Sequence, residues 1–140
     1  MIQKILKDAR RLGACAESDK ATSWKSLAYL FFSPQGREFC EEHHFPHMRT
    51  WHEIRNEARQ HDIYVDAGVF TAHNPKNIGL IGNTRATLTF TGADYTHKVI
   101  LQHNARARIV LSDYAVVLVV KASDDVSVDI VNDGTGLVLT

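Results

Sequence analysis

Beyond residue 62 the apolar side chains recur at two nested intervals, and few folds satisfy both. Within short segments they alternate: Ala105, Ala107 and Ile109, then Ala115, Val117 and Val119, then Val126, Val128 and Ile130, then Leu137 and Leu139. Between segments the offset is ten or eleven residues, and Val99, Leu88 with Phe90, and Ile78 with Leu80 carry the ladder backward at nine or ten. Alternation places one set of side chains on one face of a strand. Gly82-Asn83, Thr91-Gly92, Ser112-Asp113, Ser123-Asp124-Asp125 and Asn132-Asp133-Gly134 supply turns between the segments. Two architectures fit. In a β-solenoid each ~10-residue step is one side of a coil, with inward residues stacked on those of neighbouring coils. In an antiparallel meander or sandwich each step is a strand plus a hairpin turn. The near-constant offset, and small residues at corresponding rungs (Ala105 and Ala115), favour the solenoid.

The first part of the chain is different in kind. Five β-branched residues occur up to Asp62, against twenty-six from Ile63 onward, and all six Glu lie before that boundary. β-branching stiffens χ1 in favour of strands whereas Glu suits helices, so residues 1–62 are expected to be helical and residues 63–140 β-rich, together forming one compact α+β unit. About four helices are predicted. Ile2, Ile5, Leu6, Ala9 and Leu12 keep a helical rhythm that Gly13 can end. Thr22 or Ser23 caps a second helix that stops before Ser33-Pro34, and Ser33 with Pro34 opens a third, reaching about His44. After Pro46, a fourth is expected over roughly His47 to Gln60, with Met48, Trp51, Ile54 and Ala58 on one face.

Val116, Leu118 and Val120 make one strand apolar on its second face too. Something must cover that face, most economically the N-terminal helices with Trp24, Phe31, Phe39 and Trp51, acting as a cap. Leu137-Val138-Leu139-Thr140 carries no Pro or charge to blunt its edge, so Leu137 and Leu139 are expected to mediate strand addition or a homo-oligomer.

Sixteen Lys plus Arg balance sixteen Asp plus Glu, which argues against nucleic acid as the main ligand and against an anionic membrane surface. No apolar run approaches the ~20 residues of a bilayer span. Two cysteines, Cys15 and Cys40, are too few for a disulfide framework and suit a reducing cytoplasm. Leu12-Gly13-Ala14-Cys15 has the outline of a lipoprotein cleavage box, but Lys7, Asp8, Arg10 and Arg11 stand where an apolar signal must lie.

The most chemically suggestive stretch runs from Cys40 to His52. Cys40 and His44, and likewise His43 and His47, are one helical turn apart, the spacing with which helices present ligands to zinc. Pro46 interrupts the second pair, and a His-rich helix end also suits the C-terminal dipole, so solvent-exposed or structural His takes precedence over a metal or a metal-dependent enzyme. His52-Glu53 starts a metalloprotease pattern that Asn56 breaks. Gly134-Thr135-Gly136 and Gly79-Leu80-Ile81-Gly82 lead into no helix that could hold a phosphate, and no G-x-S-x-G elbow occurs. Cys40 beside Phe39 fits a small core residue better than a thiolate. No cofactor is implied. Arg106 and Arg108 alternate with inward Ala105 and Ala107, so they share an outward face on which Arg85, Lys98 and Lys121 are expected to align, either as a charged solvated face that discourages edge aggregation, which takes precedence, or as a basic stripe for an acidic partner.

Phe32-Ser33-Pro34-Gln35-Gly36-Arg37-Glu38-Phe39-Cys40, His44-Phe45-Pro46, Val65-Asp66-Ala67-Gly68, the stretch from Ile81-Gly82-Asn83 through Ala86-Thr87-Leu88-Thr89-Phe90, and His97-Lys98-Val99-Ile100-Leu101 together resemble small uncharacterised proteins of phages and other mobile elements of gut bacteria. The resemblance carries no reaction and no site residue. It implies a setting in which small accessory proteins bind a host protein, including inhibitors of defence systems such as CRISPR nucleases. The expected function is therefore a non-enzymatic protein-binding module, with a self-assembling structural component as the alternative.

Overall fold

Within residues 1–14 and 21–140, which the computed structural model describes, five helices precede nine strands. Cys15 lies outside the described residues.

Local sequence explains the helix ends. Helix α1 (Ile2–Arg11) closes in a left-handed Gly13, with Ala14 N–H returning to the Ala9 carbonyl and Gly13 N–H to the Arg10 carbonyl. Helix α2 (Trp24–Phe32) starts in a reciprocal box: Ser26 N–H donates to Ser23 Oγ, and Ser23 N–H to Ser26 Oγ. Ser33 ends α2 and caps helix α3 (Pro34–His43), accepting from Gly36 N–H at 3.1 Å, with Pro34 at the first position. The fourth predicted helix is split. Ile54, at φ −106° and ψ 10°, leaves helical geometry and divides it into α4 (Met48–Glu53) and α5 (Arg55–Arg59), while its side chain stays buried in the apolar layer.

The remainder is a β-solenoid with two parallel sheets. Strands β1 (Ile63–Val65), β3 (Asn77–Ile81), β5 (Thr96–Gln102), β7 (Val116–Lys121) and β9 (Leu137–Leu139) form one sheet. Strands β2 (Gly68–His73), β4 (Thr84–Thr91), β6 (Arg106–Ser112) and β8 (Ser127–Asn132) form the other. The chain switches sheet at every step, so the sequence interval of about ten is half a coil, and residues in register lie twice as far apart: Ala86 opposes Ala107, which opposes Val128. Asp66, Asn74, His103, Asn104, Asp113 and Tyr114 turn these corners at positive φ. Asn and Asp tolerate that region far better than β-branched residues.

Between the sheets, Leu88, Phe90, Leu101, Ile109 and Val117 are fully buried. A fully buried side chain of this size contributes about 1.5–3 kcal/mol. A second apolar layer forms where the helices cover the outer face of the five-stranded sheet: Phe31, Trp51, Ile54 and Ala58 pack with Ile63, Val65, Ile81 and Ile100. The roof covers Ile63 and Val65 of β1, Ile81 of β3 and Ile100 of β5, but leaves Thr96 exposed and Lys98 half-buried. Over β7 it reaches Val120 but leaves Val116 and Leu118 half-buried, a narrower cover than the doubly apolar strand suggests. No helix among the described residues is long and apolar enough to cross a membrane.

Candidate functional site: an arginine ladder on the open sheet

Among the described residues no helix packs on the outer face of the four-stranded sheet, and alternation along each strand decides what that face displays. Arg85 on β4 stands in register with Arg106 on β6, and both are exposed. Val69, 83% exposed, flanks Arg85 on β2, and Ser127 flanks Arg106 on β8. One step along, Thr71, Thr87, Arg108 and Asp129 form the adjacent row. Among the described residues, Arg85, Arg106 and Arg108 make no ion pair within 4.0 Å. Like charges on facing positions of neighbouring strands oppose pairing. The fold gains nothing from that juxtaposition, whereas an acidic surface placed over it would.

Lys98 is not part of this ladder. It sits on β5 of the other sheet, in register with Asn77 and Leu118, half-buried, with Nζ 3.5 Å from the Phe32 carbonyl. The ten-residue interval between Lys98 and Arg108 is half a coil, which carries a side chain to the opposite sheet. Val69, Thr71 and Thr87 were not singled out in the sequence; doubling the interval would have found them, since Thr87 and Arg108 are one full coil apart.

The His-rich segment is dispersed. Cys40 is buried in the layer between helices and sheet, and burial pushes its thiol up to about 12. The His43 ring lies against Phe39 at 4.5 Å. His44 is the left-handed C-cap of α3, and His47 the N-cap of α4, both exposed. Among the described residues no three His, Cys, Asp or Glu side chains come together in a group that could hold a metal. His52 pairs with Asp66 instead, Nε2 to Oδ2 at 3.0 Å.

Leu137 and Leu139 extend the outer face of the five-stranded sheet past the helical roof, in register with Val116 and Leu118, and are 53% and 40% exposed. Among the described residues β9 pairs only with β7 and β8 only with β6. Comparison with protein-family models, with curated proteins and with solved structures returns no match.

Proposed function

We propose that this chain is a non-enzymatic protein-binding module that holds an acidic partner surface on the outer face of its four-stranded sheet. The observation that carries the reading is the in-register pair Arg85 and Arg106, exposed and in no ion pair among the described residues, on a parallel sheet. Guanidinium groups there present forked donors that match carboxylates bidentately. The resemblance to phage and mobile-element proteins supports a bacterial cytoplasmic setting, and inhibition of a host defence protein such as a CRISPR nuclease is its specific form.

The test is affinity capture from host lysate with the wild type, with Arg85→Ala/Arg106→Ala/Arg108→Ala, and with Lys98→Ala. The expected result is one species held by wild type and Lys98→Ala, lost from the triple variant and eluted early by salt. Equal capture by the triple variant removes the face from the account.

A second reading, self-assembly, is favoured by the apolar strip Val116, Leu118, Leu137 and Leu139 on β7 and β9. Sedimentation of Leu137→Asp/Leu139→Asp checks it: wild type should associate as concentration rises and the variant should not.

A further inference from the structure

We propose that the cavity beneath α1, α2, α3 and α5 binds a small apolar organic cation, an alkyl amine or alkyl quaternary ammonium. Its volume is about 830 Å³, within the range of roughly 300–1,000 Å³ typical of small-molecule sites. Leu6, Trp24, Leu27, Phe39, Phe45 and Trp51 are among the side chains that line it.

Charge selects the ligand class. Glu38 and Glu42, one turn apart on α3, line the cavity from their exposed positions, and half-buried Glu57 lines it from α5. Among the described residues no Lys or Arg lines it and none of the three carboxylates is in an ion pair; Lys4 pairs with Glu53 instead. Tyr29, His43, His61 and Cys40 are the other titratable groups on its wall. An anionic amphiphile would bring its head to uncompensated carboxylates, and a neutral one would leave them unused. A cationic head gains from them and from aromatic faces, while its hydrocarbon tail enters the apolar interior.

Both tryptophans of the chain, Trp24 and Trp51, line the cavity, so their fluorescence reports its filling. The experiment titrates the intact protein with decyltrimethylammonium, decanoate and decanol, each below its micelle concentration or solubility limit, and follows emission and the thermal midpoint. Decyltrimethylammonium should give a saturable emission change and raise the midpoint, as a ligand of the folded state must. It should bind about tenfold more tightly than decanoate, the scale of two or three exposed ion pairs. Glu38→Gln/Glu42→Gln should cut that preference about threefold or more and leave decanol binding unchanged. Ala28→Phe, placed on the wall, should abolish both, with an unchanged circular dichroism spectrum. Decanoate binding as well as the cation, a preference that survives the glutamine substitutions, or no saturable change with any of the three overturns the proposal. So does a basic amphipathic peptide that binds where decyltrimethylammonium does not.

Discussion

The indole of Trp51 donates through Nε1 to Oε1 of Gln102 at 3.1 Å, and both residues are buried. Gln102, at the end of β5, uses its Nε2 to donate to the Phe45 carbonyl at 2.9 Å, and the neighbouring His103 Nε2 lies 2.7 Å from the Pro46 carbonyl. One amide side chain thus satisfies a donor and an acceptor of the helical layer from the helix-facing side of the five-stranded sheet. Gln102→Leu preserves volume but leaves the indole N–H and the Phe45 carbonyl without partners. Urea unfolding should show a loss of about 2–3 kcal/mol with an unchanged m-value.

Gly36 stands in the first turn of α3, where an added Cβ would collide with the backbone carbonyl of Leu30. Backbone cannot swing aside as a side-chain tip can. Gly36→Ala should cost about 2–3 kcal/mol and loosen the α2–α3 corner, seen as faster amide exchange at Ser33 and Gly36.

Position along the solenoid should grade the cost of truncation. Leu88 is fully buried, whereas Ile130, two strands further along the same register row, is 39% exposed on β8, the last strand of that sheet among the described residues. Leu88→Ala should lose about 3–4 kcal/mol and Ile130→Ala less than about 1.5 kcal/mol in chemical denaturation. Equal losses would contradict the two-sheet core.

Burial raises the Cys40 thiol from 9.0 to about 12, so at pH 8 it holds roughly a thousandfold less thiolate than an ordinary cysteine. Iodoacetamide should label the Cys40 peptide at least about 100-fold more slowly in the folded protein than in urea, as mapped by mass spectrometry. Rapid labelling in the native state would mean that the thiol is accessible and ionisable.

Asp133 is held below the usual aspartate range, first by the side-chain hydrogen bond from Thr135 Oγ1 at 2.6 Å and then by the Thr135 N–H. A carboxyl lowered in the folded state stabilises at pH values above its unfolded pKa, and that contribution is lost as pH falls through the folded one. The Thr135 amide resonance should therefore titrate with a midpoint below that of an unstructured aspartate, and Thr135→Val should move the midpoint upward.

Much of this organisation was legible in the residues. The end of α1 at Gly13, the Ser33-Pro34 junction and the change of character at Ile63 depend on local φ/ψ preferences, which act over a few residues whatever the rest of the chain does. The solenoid was legible for a related reason: stacking identical steps repeats the same burial requirement, so one interval recurs. Lys98 was misplaced because that interval says how often the chain turns, not which sheet it turns into. The break at Ile54 was invisible, since Met48, Trp51, Ile54 and Ala58 keep helical spacing across it. The arginine pair was half visible: alternation gave the shared outward face of Arg106 and Arg108, but opposing Arg85 to Arg106 required the register.

The sequence alone decided which residues turn, which extend, and which face inward along each strand, because these choices are settled by backbone sterics and by the period-two geometry of a strand. Only the tertiary structure decided which residues become neighbours across coils, where the helical roof stops, and that Glu38, Glu42 and Glu57 line one aromatic cavity. Those outcomes depend on how layers with many acceptable partners pack against one another, and no local preference encodes that choice.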